Sequence, residues 1–342
     1  MLFFLSTVLL FIKTSNSTIN LILYSISIVP PAFILGKLTT KLSDYIGDKK
    51  GGLLSSTLGN IPELFMGVFA VKVGLNELVK ATIIGSIVSN MLLVLGISVF
   101  IGGINHKEQK FNKLIARTNF NQILLVMSAI ILIASLNKYG VVNESKIKFI
   151  SLIIAIVFIS IYILGLIFSL YTHSNMFVLS EEITTTCENK KIPYNKIILK
   201  LILICILLYF SSKKLIGEIN IVVINNGFKE EFVGIVLIPL LGNIGENFSA
   251  IIGAYKNKIN LSLETAIGSS IQMALFVTPL LILISYVFYG GFSLLFSTFQ
   301  IIVSCISILI SYMVFQDGKT YWLEGSILIA VYIMVLLVFY YI

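Results

Sequence analysis

One carboxylate inside each of two matching apolar segments constrains this chain more than any other feature. The first segment reads Gly59-Asn60-Ile61-Pro62-Glu63, and 23 residues after the glutamate comes Ser86 in Gly85-Ser86-Ile87-Val88-Ser89-Asn90. The second reads Gly242-Asn243-Ile244-Gly245-Glu246, followed 23 residues later by Ser269 in Gly268-Ser269-Ser270-Ile271-Gln272. Glu246 lies 183 residues after Glu63, and Ser269 lies 183 residues after Ser86. Without a gap, about 12 of the 38 positions from Gly59 to Gly96 are identical to their partners at that offset. The pattern reads as a duplication in which each copy carries an acid within apolar surroundings. An ionisable group there costs roughly 2.5–3.5 kcal/mol on insertion scales, and such groups mark function.

The surroundings are those of a bilayer. Of 342 residues, 57% are hydrophobic and 12% charged, and the mean hydropathy is +1.00. Apolar runs near the ~20 residues needed to cross a membrane recur along the whole length. This composition excludes a soluble enzyme and leaves no room for a sizeable soluble or cofactor-binding domain. The net charge of +8 sits in short loops. It therefore reads as a topology signal in contact with lipid headgroups, with no nucleic-acid partner. Cys187, Cys205 and Cys305 have no paired spacing, and the last two read as packing residues in spans. The run from Met1 to Lys13 lacks a basic start and a small-residue cleavage site, so it reads as a short or tilted helix rather than a removed leader.

Continuous apolar runs without alternation predict an all-α integral membrane protein with about eleven transmembrane helices, at roughly 2–13, 19–41, 53–72, 77–102, 119–137, 147–171, 195–217, 228–255, 261–288, 291–315 and 321–342. Five spans then fall in residues 19–171 and five in 195–342, with 1–18 an extra helix and 172–194 a polar cytoplasmic linker carrying Glu181, Glu182 and Glu188. An odd number of spans per copy sends the second copy in from the opposite side, giving two inverted five-helix repeats, a plan of secondary transporters. With the N-terminus cytoplasmic, inner loops collect 14 Lys plus Arg against 9 outside, which favours that orientation.

Glu63 lies about ten residues into its span, ~15 Å deep and so near the midplane. Asn60 and Glu63 share a helix face, as do Asn243 and Glu246; Ser86, Ser89 and Asn90 stack at i, i+3 and i+4, and Ser269 with Gln272 repeats that stack. Pro62 and Pro239 weaken the ladder nearby. Every one of these groups offers oxygen and none a thiolate or imidazole, which suits a hard cation such as Ca²⁺ or Mn²⁺. For the serines and Asn90, helix packing through hydrogen bonds is an equal alternative. The two glutamates lack a basic partner within their spans. Two ionised glutamates neutralise one divalent cation. With the cation gone, two like charges in a poorly solvated pocket cannot both persist, and protons replace it. The charge balance thus favours exchange of a divalent cation for about two protons, with sodium as an alternative counter-ion.

At these residues the chain resembles the cation/calcium exchanger superfamily, and within it the proton/calcium antiporter family. Gly51 to Leu64 and Phe232 to Ala250 carry the likeness, supported by Lys80 to Gly96, Ala266 to Leu280 and Phe168 to His173. The resemblance implies alternating access, Glu63 and Glu246 as the calcium and proton site, and Asn60, Asn243, Ser86, Ser89, Asn90, Ser269 and Gln272 lining the cavity. It implies no cofactor and no catalysis, and a place in a prokaryotic cell membrane, alone or as a homo-oligomer. Two departures stand out. Asn247 occupies a position that is often His, and Lys213 and Lys214 stand where an acid is usual before the eighth span. Sodium-driven exchange and a passive cation channel are the rival functions. An intramembrane enzyme would need a motif such as HExxH or a serine–histidine pair, and His106 and His173 both lie at loop edges.

Overall fold

The computed structural model describes residues 2–46, 57–140, 142–173, 194–226 and 229–341. Its helices are α1 (Leu2–Phe11), α2 (Ser17–Ile46), α3 (Ile61–Lys72), α4 (Asn76–His106), α5 (Lys113–Lys138) and α6 (Glu144–Thr172). After the linker come α7 (Tyr194–Asn226), α8 (Glu230–Gly242), α9 (Ile244–Tyr255), α10 (Ile259–Phe288), α11 (Thr298–Val314) and α12 (Trp322–Tyr341). Among the described residues seven helices are long and apolar enough to cross a membrane, or eight if the bent pair α8–α9 is one span.

Three expectations need correction. The continuous span at 228–255 is broken, because α8 and α9 meet at 65° about Asn243. The expected span at 291–315 starts only at Thr298. Gly290 and Gly291 both take φ near +80° (79° and 78°), which ends α10. The next stretch is irregular, with Phe292, Leu294 and Phe296 buried in the core. Its apolar content comes from a buried loop, which hydropathy does not distinguish from a helix. The helix expected at 119–137 begins at Lys113, where Asn112 Oδ1 accepts from the backbone N–H groups of Leu114 and Ile115. Of the linker and its three acids, residues 174–193 lie outside the described residues.

The helices pack around the broken segments. α2 lies against α7, with α1 on its outer side, while α3 contacts α7 and α9 contacts α2 and α10. α4 crosses α8 at backbone distance. A β-carbon on Gly85 would stand 2.6 Å from both Cα and O of Ile235, so that crossing requires glycine. Glu230 Oε2 accepts from the backbone N–H of Leu78 at 3.1 Å and ties the starts of α8 and α4 together.

Three loops gather at one end of the bundle. Gln109–Lys110 (β1) pairs antiparallel with Lys319–Thr320 (β2). Gln109 Nε2 donates to the carbonyl of Ala254, and the backbone N–H of Asn112 donates to Asn260 Oδ1. The loops after α4, α9 and α11 therefore share one side, as the alternation of spans requires.

Candidate ion-binding site

The site is built where helices break. Residues 57–59 are helical, Asn60 takes φ −91° and ψ 14°, and α3 starts again at Ile61. In the second half Asn243 takes φ −90° and ψ 12° between α8 and α9. Residues 183 positions apart thus share the same bridge-region backbone. The hydrogen bonds that follow also match: Leu64 N donates to Asn60 O at 3.0 Å, and Asn247 N to Asn243 O at 2.8 Å. Pro62 lacks the N–H that would continue the ladder to Leu58 O.

Because of these breaks, Glu63 and Glu246 stand in the first turn of α3 and α9 rather than in mid-helix. The partial positive charge of a helix N-terminus favours a carboxylate there by about 0.3–1 kcal/mol, more when partly buried. Glu63 is fully buried, and neither of its oxygens has a protein partner. Glu246 is half-buried, with Oε2 enclosed and unpartnered. The two acids are close enough to repel each other electrostatically. Each also lies against the other motif's glycine, Glu63 on Gly242 and Glu246 on Gly59.

The remaining expected residues are arranged around this pair. Asn60 Nδ2 donates to Gln272 Oε1 at 2.6 Å, and Ser269 Oγ donates to Asn243 Oδ1 at 3.2 Å. Ser269 also reaches Glu246. Each of these contacts joins elements that carry the paired motifs. Ser86, Ser89 and Asn90 are buried, and Ser86 Oγ, Ser89 Oγ and Asn90 Nδ2 have no protein partner. α4 is π-helical over Ser89–Val94, and α10 over the matching Met273–Val277. Such wide turns release backbone groups and recur at functional sites. Ser311 Oγ donates to Met91 O at 2.9 Å and Thr278 Oγ1 to Met273 O at 2.7 Å, so carbonyls in both wide turns are engaged by hydroxyls.

Among the described residues, no three His, Cys, Asp or Glu side chains converge as a metal site. A cation here would rest on two carboxylates completed by amide, hydroxyl and backbone oxygens, the donor set of a hard ion. Unpartnered buried oxygens cost about 1–3 kcal/mol each when left so, and a bound ion or protons offset that cost. Sequence reasoning missed Tyr332 on α12, whose buried hydroxyl faces Ser89. One tyrosine in an apolar span carries no signal until its neighbour is known.

Comparison with known proteins gives the family. The sodium/calcium exchanger protein family matches residues 16–171 and 196–341. A Ca²⁺/H⁺ antiporter of Aphanothece halophytica is 36% identical over 330 residues, covering 93% of this chain and 88% of that protein. The Ca²⁺/H⁺ antiporter ChaA of Bacillus subtilis (strain 168) is 32% identical over 325 residues, covering 95% and 92%. The solved structure of native YfkE superposes with a TM-score of 0.83 at 29% identity, over 99% of this chain and 97% of that one. An all-helical membrane fold, matching backbone dihedrals at Asn60 and Asn243 and this degree of identity lead to one conclusion: the chain belongs to the sodium/calcium exchanger protein family, in its Ca²⁺/H⁺ antiporter branch.

Proposed function

We propose that this protein is a proton-coupled calcium antiporter that moves Ca²⁺ out of the cytoplasm by alternating access. One observation carries the reading: two carboxylates, one from each half, meet at helix breaks and each rests on the other half's glycine. Relatives 32–36% identical over most of the chain are Ca²⁺/H⁺ antiporters, which supports the same exchange here.

In this reading Glu63 and Glu246 hold Ca²⁺ or protons by turns. Asn60, Asn243, Ser86, Ser89, Asn90, Ser269 and Gln272 line the site with oxygen donors and hold its acids in place. Bound calcium neutralises both carboxylates, and protons neutralise them on the return, so no bare pair of charges crosses the bilayer. The matched dihedrals at Asn60 and Asn243 and the matched wide turns in α4 and α10 support two five-helix repeats, 19–171 and 195–342, in opposite orientations. Residues 1–18 add one helix, giving eleven spans, with α11 a short one. The N-terminus, the linker and the three gathered loops then face the cytoplasm.

The test is ⁴⁵Ca²⁺ uptake into everted vesicles driven by an imposed pH gradient. Glu63→Gln and Glu246→Gln abolish uptake while the protein remains in the membrane. Uptake that persists in either variant removes the site assignment. Uptake that follows a sodium gradient with pH clamped removes the proton coupling.

A further inference from the structure

The end of α4 and the start of α12 meet along a groove of about 510 Å³, lined by Phe100, Gly103, Ile104, Lys107, Tyr321 and Trp322. Glycine allows the close approach: a β-carbon on Gly103 would stand 2.4 Å from the backbone nitrogen of Trp322. The walls are apolar side chains open to the outside. Ile104 is 58% exposed and Trp322 49%, and the Trp322 ring packs edge-on against Phe100 at 6.4 Å. Both helices are long and apolar enough to span a membrane, and the groove lies at one end of each. Span ends are where headgroups begin and where tryptophan and tyrosine concentrate.

Lys107 is the charged residue of this lining. It closes α4 with φ 56°, and among the described residues no acid lies within ion-pair distance of it. Its neighbour Glu108 is already engaged: Lys319 Nζ and Tyr321 OH both donate to it at 3.1 Å, and Lys110 Nζ lies 3.9 Å away. Glu324, in the first turn of α12, accepts from the backbone N–H of Tyr321 at 2.9 Å. The three loops gathered at this end carry Lys107, Lys110, Lys256, Lys258 and Lys319 against Glu108 and Asp317. A positive rim above apolar walls is complementary in charge to an amphiphile with an anionic head. A zwitterionic headgroup brings its own ammonium and gains little from a lysine. A phosphodiester without one gains a charge-assisted hydrogen bond.

We propose that this groove binds an anionic phospholipid such as phosphatidylglycerol, with Lys107 on the headgroup phosphate and Phe100, Ile104 and Trp322 along the acyl chain. Nothing in the site depends on which ions the protein carries, so it stands apart from the transport reading.

Trp322 is the single tryptophan of the chain, so its emission reports the lipid at the groove. Wild-type protein and the variants Lys107→Gln, Lys107→Arg and Lys110→Gln are reconstituted in phosphatidylcholine bilayers. Each receives phosphatidylglycerol or phosphatidylcholine brominated in the acyl chains, at one mole fraction, and quenching of Trp322 gives the relative affinity of the two lipids. One lysine at a membrane surface corresponds to about a fivefold preference for the anionic lipid. The wild type shows that preference, Lys107→Arg and Lys110→Gln keep it, and Lys107→Gln brings the two lipids to equality. Equal quenching by both lipids in the wild type overturns the proposal. A preference that survives Lys107→Gln does so too, as does one that Lys110→Gln abolishes as completely, since loop charge in general would then be the cause. Inorganic phosphate at matched ionic strength leaves the preference intact; its loss would assign the groove to free phosphate and overturn the lipid.

Discussion

The carboxylate of Glu63 fills the space that a β-carbon on Gly242 would need. That carbon would stand 2.2 Å from Oε1, 2.4 Å from Cδ and 2.9 Å from Cγ of Glu63. Gly59 stands in the same relation to Glu246, but only the tip is close there, at 2.1 Å from Oε1 and 3.3 Å from Cδ. The glycine and the glutamate of each motif are thus used in trans: each half supplies an acid and the seat for the other half's acid.

An asymmetric outcome follows. Gly242→Ala must displace the stem of a fully buried side chain, so it costs about 1–3 kcal/mol of stability and removes calcium binding. Gly59→Ala displaces only a carboxylate tip, so it lowers calcium affinity with a smaller loss of Tm. The measurement is the calcium-dependent rise in Tm of the two variants side by side. A wild-type rise in Gly242→Ala contradicts the arrangement.

Asn60 and Gln272 form the short polar link between the first break and α10, at 2.6 Å. Their environments differ: Asn60 is 1% exposed, whereas Gln272 is half-buried. Truncating the less buried partner is therefore the costlier change. Gln272→Leu strands a buried amide N–H on Asn60 and costs about 1–3 kcal/mol. Asn60→Ala leaves Gln272 able to reach water and costs less. Chemical or thermal unfolding in detergent orders the two variants, and the opposite order rejects the link as a stabilising one.

Much of this architecture was readable in advance because lipid allows few solutions. A chain that must satisfy its own backbone in hydrocarbon writes its helices as apolar runs, and the constant offset between Glu63 and Glu246 exposed the two motifs that the fold brings together. Hydropathy failed where burial and helicity part company. Phe292, Leu294 and Phe296 are buried in a loop, so the span expected from residue 291 begins at Thr298. The break at Asn243 was also illegible. Pro239 signalled a weakness, but the 65° turn comes four residues later, and its counterpart Asn60 precedes its own proline, Pro62. Tyr332 had no periodic or motif signal. Only the crossing of α12 over the wide turn at Ser89 singles it out.

Lys214 anchors the first helix. Its Nζ donates to Leu10 O at 2.5 Å, among the free carbonyls at the end of α1, and lies 5.6 Å and 5.4 Å from the ring centres of Phe11 and Tyr24. A cation at a helix C-terminus contributes about 0.3–1 kcal/mol, up to ~2 when partly buried. Tyr24 OH donates to the next free carbonyl, Ile12 O, at 3.3 Å. Lys214→Met keeps the stem and removes the charge, so α1 detaches while the ion site is untouched. A cysteine introduced at Thr7 becomes more reactive to a membrane-permeant maleimide in the Lys214→Met background, with calcium transport preserved. Unchanged labelling would show that packing alone holds α1.

The loop junction at the other end carries its own pH window. Glu108 accepts from Lys319 Nζ and from Tyr321 OH, both at 3.1 Å. The hydrogen bond from Lys319 holds the Glu108 carboxyl below its ordinary range, and Glu108 in turn holds the Lys319 ammonium above its own. A depressed carboxyl stabilises the folded junction above its unfolded pKa, ~4.3, and that contribution is lost as pH falls through the lower folded value. A raised ammonium contributes fully below its unfolded pKa, ~10.4, and its share is lost as pH rises through the higher folded value. The junction is therefore closed across the neutral range and opens at both extremes, and salt weakens it because the groups are exposed. Trp322, the single tryptophan of the chain, follows Tyr321 and packs edge-on against Phe100 at 6.4 Å, so its fluorescence reports the state of this end. In the wild type that signal is flat through neutrality and changes in strong acid. Glu108→Gln removes the acid limb. An acid transition that survives this substitution would have to arise elsewhere in the loops and would exclude the Glu108–Lys319 pair as its cause.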